Sequence, residues 1–226
     1  FVFFSFLIFF PLKAIAVSGV ADKYEVTMNK VELCTSSACS SPTTVASGSQ
    51  AVNIASLSAG AEAAAFGSTA GLPIGTTFTH MRVTLNRAFT IEGEVNVSGN
   101  NWCSTDSADA GSATALHVGT LDTDGTATDG TDQTLYLADA DDYATDETIT
   151  IGYGSPTYAV SMSVGSPSAT EVQLIYELGS SYTVGLVAPK IKVTFDVSTA
   201  LGAGIADTNV CYMWPEEPVV TISLTE

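Results

Sequence analysis

Positive charge is scarce in this sequence, and between Arg87 and Lys190 there is none at all. Seven Lys and Arg stand against 24 Asp and Glu, a formal charge of −17, and the interval between those two cations carries 15 of the carboxylates. Such a surface repels phosphate backbones, which excludes nucleic acid as a partner. Solubility through self-repulsion is the plain reading of the acidity, and divalent cation binding is the sharper one. Histidine is nearly missing too, with only His80 and His117. The GxSxG elbow, HExxH, the phosphate loop and the dinucleotide glycine fingerprint are all absent. No enzyme is expected and no catalytic or cofactor-binding residue is assigned. Helical periodicity is also lacking, apart from an ambiguous small-residue stretch at 55–73 that reads as a connection between sheets.

Long apolar runs are missing except at the start, FVFFSFLIFFPLKAIAVSG. This run is broken by Pro11 and Lys13, short of the roughly 20 apolar residues that cross a bilayer. Ala14-Ile15-Ala16 then offers small residues at the positions a signal peptidase reads. Residues 1–16 are therefore expected to be a cleaved signal peptide that leaves Val17 at the mature N-terminus, with 17–226 as a single domain. A processed type IV pilin likewise begins with Phe on an apolar helix, but that pattern has Glu at its fifth position where this chain has Ser5. The alternative is a retained pilin-like helix, with any membrane contact made through the leader alone.

Cysteine is sparse but even in number: Cys34, Cys39, Cys103 and Cys211. A zinc site needs close cysteine pairs with histidines at matching spacing, and His80 and His117 are isolated. Two disulfides fit a secreted chain better, although four cysteines allow three pairings. The turn CTSSAC favours Cys34 with Cys39, and hence Cys103 with Cys211. On the chain-entropy model the long closure is worth about 4.7 kcal/mol and the short one about 2 kcal/mol.

What the chain does have is alternation. HMRVTLNRAF turns Met81, Val83 and Leu85 one way and Arg82, Thr84 and Asn86 the other. By the same parity His80 faces outward with Arg82. EVQLIYEL aligns Val172, Leu174, Tyr176 and Leu178, and KIKVTFDV aligns Ile191, Val193, Phe195 and Val197. In YEVTMNKVEL the apolar parity switches after Met28, which predicts a bulge near Asn29-Lys30. About ten strands separated by Gly, Pro and Ser predict an all-β fold. The expected architecture is an antiparallel β-sandwich of immunoglobulin-like or jelly-roll-like kind. Trp102 and Trp214, beside Cys103 and Cys211, are expected in its core.

Residues 104–147 loosen into an acidic insert, read as hairpins with acidic turns. Two Thr-Asp-Gly triplets place Asp122, Asp124, Asp129 and Asp132 close together in sequence, with Asp139 and Asp141 further on. Calcium takes six to eight oxygens at about 2.3–2.6 Å, and carboxylates on glycine-bent loops supply them, so these six are candidate ligands. The spacing fails the EF-hand pattern, since Thr131 falls where a bidentate Glu is required. Asp, Gly and Thr are also ordinary β-turn residues.

Threonine-rich strands with little side-chain chemistry suit a protein that works by pairing edges. The expected role is a secreted, non-enzymatic subunit of an extracellular filament, pilus or coat. It would self-associate as a homopolymer through strand exchange. The donor is expected in the extended segment before Cys34, through Val17, Val20, Tyr24, Val26 and Met28, unless that segment pairs within its own sheet. A cleaved leader followed by a disulfide-stapled β-sandwich resembles, in layout, secreted fimbrial and biofilm-fibre subunits assembled by donor-strand complementation. The alternative role is a calcium-dependent adhesion module, with a glycan as its possible ligand class.

Overall fold

The computed structural model describes residues 17–56, 68–109, 117–137, 159–163, 169–207 and 210–225. Apart from a single 3₁₀ turn at Ile54–Ser56, every regular element among them is a β-strand. In chain order these are β1 (Val17–Gly19), β2 (Lys23–Cys34), β3 (Thr43–Asn53), β4 (Thr77–Asn86), β5 (Ala88–Glu92), β6 (Glu94–Ser98), β7 (Asn101–Ser104) and β8 (His117–Asp122). They continue with β9 (Gln133–Tyr136), β10 (Ala159–Ser163), β11 (Glu171–Thr183), β12 (Lys190–Asp196), β13 (Leu201–Asp207), β14 (Val210–Pro215) and β15 (Val219–Thr225).

All pairings are antiparallel. One sheet runs β1-β13-β14-β8-β7-β6, a second runs β10-β11-β4-β2-β5-β9 with β3 on the other edge of β2, and β12 pairs with β15. The inward faces of these sheets share one apolar core, which includes Tyr24, Leu33, Phe78, Ile91, Leu135, Val172, Leu201, Met213 and Ile222. The fold is thus an all-β, sandwich-like antiparallel architecture. Among the described residues no helix is long and apolar enough to cross a membrane.

The fifteen described strands exceed the ten or so expected, in part because HMRVTLNRAFTIEGEVNV holds three of them, β4, β5 and β6. The parity switch in β2 is a register shift between Met28 and Lys30. β4 and β5 form one long strand along β2, interrupted only at Arg87: Leu33 faces Met81 and Tyr24 faces Ile91. On its far edge, β11 pairs with the first half and β9 with the second. Gly93 then hands the chain from the second sheet to β6 in the first.

The described parts of the acidic stretch 104–147 supply strands to both sheets. β8 lies between β7 and β14 in the first sheet, and β9 pairs with β5 in the second. Residues 110–116 and 138–147 of this stretch lie outside the described residues.

Two disulfides form, Cys34–Cys39 with Cα atoms 5.0 Å apart and Cys103–Cys211 at 6.0 Å. Such bridges persist in oxidising surroundings. The second joins β7 to β14 over the intervening β8, and it passes above Gly119. A Cβ at Gly119 would sit 2.8 Å from the Cys103 sulfur and 2.9 Å from that of Met213, so glycine is what lets the bridge cross. Trp214 does not cover this bridge. Its indole lies over its cross-strand partner Gly202, leaving no room for a Cβ there, and Nε1 donates to Glu216 Oε1 at 2.7 Å.

Candidate functional site

Most of the described acidic side chains of this stretch are held by hydrogen bonds from nearby chain. Asp106 Oδ1 accepts from the Ala108 amide at 2.8 Å and Asp109 Oδ2 from that of Val118 at 2.7 Å. Asp122 Oδ2 accepts from the Thr128 amide at 3.0 Å, and Asp124 Oδ1 from the Thr126 amide at 2.8 Å. Asp106 and Asp124 thus close their own turns, while Asp106 also accepts from Thr120 Oγ1 at 3.0 Å and Asp109 from Gln133 Nε2 at 3.1 Å, tying the stretch to β8 and β9. Asp132 faces another way, accepting from Lys23 Nζ at 2.7 Å, and this hydrogen bond raises the Lys23 pKa.

Asp122, Asp124, Asp129 and Asp132, four of the six candidate calcium ligands, thus point to separate partners. Among the described residues no group of three or more His, Cys, Asp or Glu is placed to hold a metal ion. Asp139 and Asp141 lie outside the described residues. Asp129 instead joins Asp22 and Glu92 around Glu94. Burial raises the Glu94 pKa, and the charges of Asp22, Asp129 and Glu92 add to the rise.

The histidines are separate features. His80 Nδ1 is 2.8 Å from Thr79 Oγ1, and burial lowers its pKa against the opposing charge of Glu177. His117 is fully buried and stacks on Tyr136 with ring centroids 5.8 Å apart.

The segment expected to donate a strand divides in two. Tyr24 and Val26 are buried core residues of β2, the strand flanked by β3, β4 and β5, and Met28 packs against the same core. Tyr24 Oη donates to the Glu216 carbonyl at 2.9 Å. β1 is different. It has three residues at the edge of the first sheet, with Val17, Ser18 and Gly19 opposite Ala203, Gly202 and Leu201. Its other side abuts β6, since a Cβ at Gly19 would stand 3.1 Å from Val95 and 3.3 Å from the Glu94 carbonyl. Val20 is exposed, and the path into β2 is fixed by hydrogen bonds from Ala21 N to Val197 O (3.4 Å) and Asp22 N to Glu92 O (2.9 Å).

Three features are not visible in sequence patterning. The first is buried Glu32, whose Oε2 accepts from Arg82 at 2.7 Å and whose Oε1 lies 2.6 Å from Lys30 Nζ. Burial pushes this carboxyl up, but the hydrogen bonds and charges of Lys30 and Arg82 outweigh it and leave the pKa lowered. The second is Arg87, fully buried where β9 ends and β11 begins. Its Nε donates to the Leu137 carbonyl at 3.1 Å and its Nη1 to that of Ala169 at 3.0 Å.

The third feature is an apolar tip. Backbone bonds from Gly75 N to Val184 O (2.8 Å) and Val184 N to Thr76 O (2.9 Å) join the loop before β4 to the loop after β11. They bring Ile74, Leu186 and Val187 to one end of the molecule, 67%, 91% and 58% exposed. In sequence, VGLVAPK reads as the fading end of a strand, and only the Gly185 and Pro189 punctuation hints at a loop. Compared with known proteins, the chain matches no protein family, no curated protein and no solved structure, so its function rests on these residues alone.

Proposed function

We propose that this protein is a secreted, non-enzymatic structural subunit that self-associates into an extracellular filament or surface coat by donating its N-terminal strand to the next copy. The observation that carries the reading is β1. It is a three-residue edge strand lying between β13 and β6, so its departure opens a slot flanked by two strands without dismantling the core. Edge pairing of this kind draws its affinity from main-chain hydrogen bonds. The donated unit is limited to Val17–Ala21, whose one buried side chain is the small Ala21, because Tyr24, Val26 and Met28 are held in the sheet that contains most of the core. Signal-peptide cleavage after Ala16 is part of this proposal, since it frees Val17.

The test is light scattering and negative-stain microscopy of the full chain beside a variant lacking residues 17–21. Filaments from the first and folded monomers from the second are expected, with added peptide of sequence VSGVA filling the slot and capping growth. A full chain that remains strictly monomeric at high concentration overturns the proposal.

A further inference from the structure

Among the described residues, the cations are accounted for with two exceptions. Lys23 pairs with Asp132, Lys30 and Arg82 pair with Glu32, and Arg87 is buried against carbonyls. Lys190 and Lys192 form no described ion pair. Both follow the Leu186-Val187 loop directly, on β12. The strand's apolar residues Ile191, Val193 and Phe195 pack inward, which turns the two lysines to the opposite side. Protruding aliphatic side chains and two uncommitted ammonium groups thus occupy one end of a molecule that is otherwise acidic.

The acidic cluster of Asp22, Glu92, Glu94 and Asp129 belongs to the other end. The tip adjoins the start of β4 at Thr77, and Glu92 ends β5, so the two are separated by about 50 Å of strand. At physiological ionic strength the screening length is about 8 Å, so that negative charge is not felt at the tip. The other large exposed aliphatics among the described residues, Val20 in the link between β1 and β2 and Val118 on β8, stand singly. They form no apolar recess to receive a tip from a second copy. A convex aliphatic tip beside lysines matches instead the boundary between headgroups and acyl chains, where apolar side chains enter and ammonium groups meet lipid phosphates.

We infer that Ile74, Leu186 and Val187, with Lys190 and Lys192, form a docking tip for an anionic phospholipid surface. This inference is independent of strand donation, and it leaves the β1 edge free, since that edge lies beside Glu94 at the far end.

The experiment is flotation of the full chain with vesicles of phosphatidylcholine alone and with phosphatidylglycerol added. Binding to the mixed vesicles is expected, with the partition coefficient falling about tenfold or more in Leu186→Ser/Val187→Ser. In Lys190→Glu/Lys192→Glu the preference for anionic vesicles should disappear. Both variants alter exposed positions, and unchanged thermal melting confirms that they fold. No vesicle binding by the parent chain, or binding that neither variant reduces, overturns the inference. Loss of self-association in the tip variants without any vesicle binding also overturns it and assigns the tip to a contact between copies.

Discussion

Glu32 and Glu94 show how the same side chain is driven in opposite directions by its neighbours. The Glu32 pKa is lowered by its two cations. Its contribution is therefore complete above the ordinary value near 4.5 and is lost as pH falls through the folded value. Glu32→Gln is expected to lose about 2 kcal/mol at pH 7, with the difference from the parent narrowing as pH falls below 4.5. The Glu94 pKa is raised, so its ionisation costs stability as pH rises through and above 4.5, and Glu94→Gln should be slightly more stable than the parent at pH 7. Urea titrations across pH 3 to 7 read both effects. Arg87 has a different task, since its guanidinium supplies donors to carbonyls of Leu137 and Ala169. Arg87→Met leaves those acceptors buried, and a loss of about 3 kcal/mol is expected in the same titrations.

At the scale of strands and loops, alternation was a sound guide wherever one face is buried and the other solvated. Val172, Leu174, Tyr176 and Leu178 are all buried along β11, and the parity switch in β2 marks a real bulge. Sequence period cannot say which edge a strand meets, however, because pairing partners are chosen by long-range packing. The acidic stretch reads as hairpins, and its described strands β8 and β9 belong to different sheets. The carboxylates are ambiguous in sequence for a related reason: Asp near Gly and Thr has the same composition whether it closes a turn or binds calcium, and only the direction of each oxygen separates the two. The tip was illegible because Leu186 and Val187 have the composition of a strand end, and their exposure depends on a contact with a loop more than a hundred residues earlier. The cysteine pairing was readable because six residues around CTSSAC close locally. Replacing Cys103 and Cys211 with serine is expected to cost about 4 to 5 kcal/mol by loss of loop closure, measurable as a lower denaturation midpoint in guanidinium.

Across the whole molecule, the covalent path differs from the path of the chain. Tension arriving at Val17 and leaving near Thr225 enters β7 at Cys103 and crosses to β14 at Cys211 through one sulfur bridge. The 108 residues spanned by that bridge are thereby shielded from stretching, including β8, β9, β11 and β13. Extended chain reaches about 3.5 Å per residue, so roughly 38 nm of length stays locked while the bridge is intact. Single-molecule pulling from the two ends should show that increment only after reduction, and an oxidised chain that releases it would contradict this load path. If subunits are joined in a fibre, each would then behave as a tether with a built-in stop: the strands before Cys103 and after Cys211 can be drawn out, while the stretch enclosed by the bridge cannot be extended.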